Sequence, residues 1–549
     1  MSMHPIKRIL EILRYEKKEI WAIYFYAIFS GLVQLSLPIG IQSIISFVLG
    51  GSLSTSLVLL IVFVVSGVFV SGLLQVNQMK IIEKIEQQLF VRYSFSYAYT
   101  IPKINLLKVD SYYLPELVNR FFDTVSLQKG LAKLLLEIPT ATIQILFGLI
   151  LLSLYHPIFI FFGISLIIIL YLILRYSGTR GLQTSIEESN YKYNVAGWLE
   201  ELARVVNSLK FSRGSQFHLY KTDKEVTGYL NARTNHFKIL LFQYWSLIVF
   251  KVIITASMLI VGSFLLVNQQ LNIGQFIAAE IVIIIVMSSV EKLIGNLDKV
   301  YDVLTSVEKL SKVMEKPVEV GGDQRMPENL NKGMAISIRN LDFGYEPSKP
   351  TLQSISMEIA SGEKVCLMGE NGSGKSTLLR LLTGAYQPYT GGIIIDGIPL
   401  NQYDLDSLRA QTGILLESQE IFDGTLMENI TLGNEDIPIE RILRLAEVLG
   451  LKEYIDSEPE GLQLMLHPSG KRLSRKIIQR ILLLRALAHQ PRLLLLEEPW
   501  LGLSPSDATN IKNFLLTELK NVTIIVSTND EEFARLCNKK FVLQNGTLV

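Results

Sequence analysis

The chain has 549 residues, a length that on average accommodates about three or four domains, and a net charge of +1. Hydrophobic residues make up 49% and charged residues only 19% of it, below the usual ~25%, so an ordinary soluble composition is excluded. The near-neutral charge argues against a nucleic-acid partner. The two cysteines, Cys366 and Cys537, are too few for a disulfide framework or a metal site.

Residues 3–18 read as a basic amphipathic helix, with Ile6, Ile9, Leu10 and Leu13 in one stripe. Such a helix suits the membrane interface, and the alternative is packing on the next element. Six apolar blocks follow, near 20–48, 56–79, 132–154, 157–175, 241–267 and 274–295. Each approaches or exceeds the ~20 residues that a bilayer core requires. The first is too long for the core of a cleavable signal and lacks a small-residue cleavage site. No room is expected for a further domain before it.

The connectors set the orientation. Those at 50–56, 155–157 and 267–274 are short and carry no Lys, Arg, Asp or Glu. Those at about 80–131 and 176–240 hold Lys80, Lys84, Arg92, Lys103, Lys108, Arg120, Lys129, Arg180, Arg204, Lys210, Arg213 and Lys238. Positive charge marks the cytoplasmic side, so both long connectors and both termini are expected there. A structureless loop of this length would be unusual, so the connectors read as helical extensions of the spans. Each is expected to turn at a cross-piece, at 111–120 and at 213–217. Ionisable residues at membrane depth are Lys251, Glu280 and Glu291, with a Lys251–Glu280 pair one option, snorkelling of Glu291 to the cytoplasmic edge a second and a pathway role for Glu280 a third.

Residues 316–334 are polar and rich in glycine and proline, which predicts a linker. From 335 to 549 short apolar runs alternate with helical patterns, the signature of an α/β domain. Gly369-Glu-Asn-Gly-Ser-Gly374-Lys375-Ser376-Thr377 fits the phosphate-loop pattern. The run 363–368 before it predicts a buried strand, and 377–383 after it a helix. In this context Gly369, Asn371, Gly372, Ser373 and Gly374 would cup phosphate with backbone N–H groups. Lys375 would reach the terminal phosphates, and Ser376 would ligate Mg2+. Further on, Leu493–Leu496 predicts a buried strand ending in Glu497 and Glu498, placed to bind the metal and to orient water.

With these motifs the chain resembles the ATP-binding cassette family. The order of its parts resembles the exporter arrangement, an all-α six-helix transmembrane domain followed by an α/β phosphate-loop NTPase domain. The expected division is 1–18 interfacial helix, 19–315 six-span domain, 316–334 linker and 335–549 cassette. The resemblance implies ATP and Mg2+ as cofactors, held by Tyr345 against adenine, by 369–377 around the phosphates, and by Ser376 and Glu497 on the metal. It implies a catalytic set of Glu498, the glutamine-loop position Glu417 and the switch position Asn529.

Several positions depart from the family pattern. The glutamine position is Glu417, with Gln419 two residues away. The signature L-S-G-G-Q, whose glycines the resemblance implies let backbone N–H groups approach the γ-phosphate held by the other subunit of a dimer, is Leu473-Ser474-Arg475-Lys476-Ile477. The magnesium-strand aspartate is Glu497, and the switch histidine is Asn529. Arg475 and Lys476 place two cations at a helix N-terminus, unfavourable by roughly 0.3–1 kcal/mol each unless an anion such as phosphate compensates. Asn529 can donate a hydrogen bond but cannot carry a proton at neutral pH. ATP binding is expected to be intact and hydrolysis slowed. The expected function is ATP-driven export by a dimer of half-transporters in the bacterial inner membrane, similar to type I secretion transporters. Membrane lipid, an adaptor and an outer-membrane channel are the further partners implied. The alternative is a weakly hydrolysing regulatory subunit paired with a complete one.

Overall fold

The structure is a computed structural model and describes residues 5–50, 55–109, 114–212, 214–327, 331–346, 348–417, 419–467 and 473–549. The chain divides into two compact units. One takes in 1–102 with 111–316, the other 103–110 with 317–549.

The first unit is helical throughout its described length. Its helices are α1 (Pro5–Tyr15), α2 (Lys17–Gln34), α3 (Ser36–Leu49) and α4 (Thr55–Thr100). After α5 (Leu106–Val109), which belongs to the second unit, come α6 (Leu114–Asn119), α7 (Asp123–Tyr155), α8 (Ile158–Arg204), α9 (Val206–Lys210), α10 (Phe217–Val267), α11 (Ile273–Gly295) and α12 (Leu297–Met314). Six stretches are long and apolar enough to cross a membrane: 17–49, 55–103, 114–155, 158–204, 217–267 and 273–314. In lipid every backbone polar group needs an internal partner, which helical backbone supplies. The 47 residues of α8 extend about 70 Å at 1.5 Å each, more than twice the hydrocarbon thickness. The charged connectors are therefore continuations of the spans, as their sequence predicts.

Small residues let the helices approach. A Cβ at Gly148 of α7 would lie 2.5 Å from Val286 Cγ2 of α11, so only glycine permits that crossing. Lys251 pairs with Glu291 rather than with Glu280, which corrects the first option for that trio. Among the described residues Glu280 has no ion-pair partner and is half-buried.

The amphipathic stripe of α1 is split. Ile9 and Leu13, with Ile12, pack against the unit's core, whereas Ile6 and Leu10 are exposed. Arg8 is buried and bonds Glu308 of α12 and, at 2.7 Å, Glu315. Of the two cross-pieces, 111–113 and Arg213 lie outside the described residues. The first continues as α6 and a 3-10 turn over Arg120–Phe122, and the second holds Gly214 at φ 63°.

The second unit holds β1 (Ile336–Phe343), β2 (Leu352–Ile359), β3 (Lys364–Gly369), β4 (Thr390–Ile395), β5 (Ile398–Pro399), β6 (Thr412–Leu415), β7 (Gly424–Thr425), β8 (Met465–Leu466), β9 (Leu493–Glu497), β10 (Thr523–Ser527), β11 (Lys539–Gln544) and β12 (Thr547–Leu548). A six-stranded sheet runs β12-β11-β3-β10-β9-β6, parallel but for β12. A four-stranded antiparallel sheet runs β2-β1-β4-β5. The helices are α13 (Lys375–Leu382), α14 (Leu405–Ala410), α15 (Leu426–Thr431), α16 (Ile439–Val448), α17 (Lys452–Ser457), α18 (Arg475–Ala488), α19 (Pro505–Asn513) and α20 (Glu531–Leu536).

Strand alternation divides the core in two. Val365, Leu367, Leu493, Leu495 and Ile525 face the antiparallel sheet and α13. Cys366, Met368, Leu494, Leu496, Ile524 and Val526 face α15, α16 and α18. A strand buried on both faces must be apolar at every position, which is why Leu493–Leu496 carries no polar residue.

Residues 103–110, expected in the six-span domain, belong to this unit instead. Ile104, only 2% exposed, bridges Val318, Asn105 N–H donates to Pro317 O at 2.9 Å, and Leu107 packs against the core. The expected linker is packed in its first part. Gln324 bridges Tyr403, and Met326 is buried.

Candidate nucleotide site

β3 lies between β11 and β10, buried on both sides, and releases the phosphate loop at its C-terminal end. Gly369 has φ 146°, and a Cβ there would fall 2.2 Å from Leu543 O. Gly374, at φ 104°, N-caps α13, and a Cβ there would meet Leu352 Cδ2 at 2.6 Å. Both positions demand glycine by conformation and by space. A Cβ at Gly372 would meet open space, on the exposed side of the loop next to Asn371. Ser373 is buried with its Oγ unpartnered.

Lys375 folds over this loop. Its Nζ donates to Gly369 O at 2.6 Å and to Glu370 O at 2.9 Å. Burial lowers its pKa, opposed by the nearby Glu498 and Glu497 carboxylates. Ser376 Oγ donates to Glu497 Oε1, and Glu417 N–H donates to Glu497 Oε2 at 3.0 Å. Tyr345 OH lies 3.0 Å from Thr377 Oγ1, with its ring edge-on to Phe343 and Tyr386 and 41% of the residue exposed. The residue expected at adenine is therefore tied to the helix that follows the phosphate loop.

Glu498 stands just past β9 with φ 42°, a strained value for a residue with a Cβ. Thr528 Oγ1 donates to its Oε2 at 2.9 Å, and Gln479 Nε2 to its carbonyl at 3.1 Å. Burial pushes its pKa up, against the pull of Thr528 and Lys375. Asn529 Oδ1 accepts from Gly369 N–H at 3.0 Å, so the switch position touches the first residue of the phosphate loop. Gln419 is turned into its own loop, where its Oε1 accepts from Leu416 N–H at 3.1 Å.

Ser474 N-caps α18 by accepting from Ile477 N–H at 3.4 Å. Arg475 reaches Glu417 Oε1 at 3.3 Å, and Lys476 is exposed. The structure thus joins Tyr345, Gly369, Lys375, Ser376, Thr377, Glu497, Glu498, Asn529 and Glu417 in one site. Ser474, Arg475 and Lys476 connect to it through Glu417. Sequence reasoning missed Thr528 and Gln479, which hold Glu498 in place. Only the adjacency of Thr528 to Asn529 pointed to the first, and nothing pointed to Gln479.

The donor set fits a magnesium nucleotide. A hydroxyl and a carboxylate meet at Ser376 and Glu497, the hard oxygen pair that Mg2+ takes. The loop offers Lys375 and the unpartnered Ser373 Oγ to phosphate oxygens.

Residues 352–501 match the model of a family described as ABC transporter. That stretch, from β2 to just past β9, is similar to the ABC transporter family. The full chain has the fold of an ABC exporter. It aligns with a bacterial Atm1-family ABC exporter, solved with ATP bound, at a TM-score of 0.84 and 18% identity, covering 98% of this chain and 95% of that one. Among curated proteins, a multidrug efflux ATP-binding/permease protein of Mycobacterium bovis is 32% identical over 44% of this chain and 20% of its own length. A leukotoxin export ATP-binding protein of Aggregatibacter actinomycetemcomitans is 30% identical over 52% of this chain and 41% of its own. A leukotoxin translocation ATP-binding protein of Mannheimia haemolytica is 31% identical over 52% and 40%. The chain spans less than half the length of these curated relatives. Six helices long and apolar enough to cross a membrane precede the matched stretch, a multi-pass build.

Proposed function

We propose that this chain is an ATP-driven exporter that works as a homodimer in a bacterial inner membrane, with the cassette and both termini in the cytoplasm. The observation that carries the reading is the joined site around Lys375, Ser376, Glu497 and Glu498. Lys375 exchanges its contacts with Gly369 O and Glu370 O for phosphate oxygens. Ser376 and Glu497 would hold Mg2+, which would supply charge neutralisation at the phosphates. Glu498, pinned by Thr528, orients the attacking water. Asn529 offers an amide where the family has a proton-carrying histidine, and so turnover is slow. Tyr345 lies beside Thr377, where its exposed ring can take the base. The leukotoxin exporters among the relatives support a type I secretion-like role, in which an adaptor and an outer-membrane channel complete the path.

The test is MgATP binding and hydrolysis by the purified chain. Lys375→Ala should weaken binding at least tenfold, and Glu498→Gln should abolish hydrolysis while leaving binding. Hydrolysis that appears only when a second, different half-transporter is added would overturn the homodimer and favour a regulatory subunit.

A further inference from the structure

Two departures from the family pattern touch each other. Glu417, in the glutamine position, accepts from Arg475, in the signature, at 3.3 Å. A chain of bonds runs from there into the nucleotide site. Glu417 N–H donates to Glu497 Oε2 at 3.0 Å, and Glu497 Oε1 accepts from Ser376. The acid and the base thus replace a neutral amide and a glycine as a matched pair.

The electrostatics give the pair a direction. Arg475 and Lys476 open α18, where the unsatisfied N–H groups add positive potential of their own. Among the described residues Lys476 has no ion pair, so the Glu417 carboxylate is the anion this helix end holds. One carboxylate brings a single negative charge to two side-chain cations and a helix terminus. The terminal phosphate of a nucleotide brings more charge and three oxygens, and so competes well for the same end.

We propose that Glu417 is a positioning residue for Arg475, a carboxylate that stands in for the γ-phosphate of ATP bound to a second copy of this chain. The inference rests on the homodimer reading. With the cassettes apart, Glu417 tethers Arg475 in its own subunit. As two cassettes close on ATP, Arg475 leaves Glu417 for the partner's phosphate. The tether opposes closure before nucleotide is present on both sides. It also links each site, through Glu497 and Glu417, to the signature helix that serves the other.

The pair is exposed, with 84% and 69% of the two side chains accessible, so its worth is that of a surface ion pair. That corresponds to about a 1.4- to 5-fold change in an equilibrium. The experiment measures ATP retained by the full-length dimer after rapid desalting, as a function of ATP concentration, in a Glu498→Gln background. Glu417→Gln should lower the half-saturating ATP concentration by about 1.4- to 5-fold, and the gain should shrink in 0.5 M salt, as the Debye length falls below ~5 Å. Arg475→Ala should raise that concentration. With Arg475→Ala already present, Glu417→Gln should change nothing. Retention that responds to Glu417→Gln equally with and without Arg475 would overturn the tether and leave the exporter reading standing. No ATP retained by the parent would overturn both.

Discussion

At the scale of single residues, the site is built on Lys375, Glu497 and Glu498, charges at least half-buried and held by short-range bonds. Glu498 shows this best. Its pKa is raised chiefly by burial, with the Thr528 bond and Lys375 pulling the other way. An acid whose folded pKa lies above its unfolded value of ~4.3 stabilises the fold only while protonated. That contribution is complete below the unfolded value and is lost as pH rises through the folded one. Glu498→Gln removes the titration, so the variant should melt at a higher temperature than the parent at pH 7. The gain should vanish toward pH 4, where both forms are neutral. A melting difference that stays constant across that range would contradict the assignment of burial as the dominant cause. The proposed water-orienting role of Glu498 ties activity to the same raised value. Activity should fall, as pH drops, sooner than an ordinary carboxylate would allow.

At the scale of elements, α1 joins the bundle by an ion cluster as well as by apolar contact. Arg8 is 5% exposed and faces Glu308, whose side chain is 14% exposed. Removing one member of a buried pair leaves the other charged and alone, at a cost of about 3 kcal/mol or more. Arg8→Ala should lower the melting temperature of the detergent-solubilised protein, and Arg8→Met with Glu308→Leu should recover most of it. Ile6→Ala and Leu10→Ala should have little effect in detergent, because both residues are exposed. The sequence made the α1 helix readable through its periodic isoleucines and leucines, yet said nothing of Arg8. A basic residue on an amphipathic helix looks solvated until a distant helix supplies its carboxylate. The same limit hid residues 103–110. Ile104 and Leu107 are ordinary in a helical connector, and only a bridge to Val318, more than two hundred residues on, assigns them elsewhere. β3, the phosphate loop and β9 were readable because their signals are local. Each is a short apolar run that ends at the residues it positions. Glu417 and Arg475 were readable as departures from a pattern, but their contact depends on how the loop after β6 and the start of α18 fold together.

At the scale of the whole molecule, charge and helix length argue for one orientation. The described turn between α7 and α8 is His156 and Pro157, and that between α10 and α11 is 268–272. Neither carries Lys, Arg, Asp or Glu. At their other ends α8 and α10 run far beyond a bilayer's thickness and carry the basic residues there, from Arg175 to Arg204 and from Lys221 to Lys238. A charge on these extensions would cost several kcal/mol at bilayer depth, so the extensions stand in water, and the proposed orientation turns their basic side to the cytoplasm. Gln269 is exposed in the short turn, and Gln216 is exposed where α10 begins. In intact cells a membrane-impermeant maleimide should label Gln269→Cys and spare Gln216→Cys, and both should react after lysis. The native cysteines give no competing signal in this experiment. Burial pushes each thiol's pKa up to about 12, which suppresses the reactive thiolate. Labelling of Gln216→Cys before lysis would invert the orientation, and with it the side on which this chain meets its ATP.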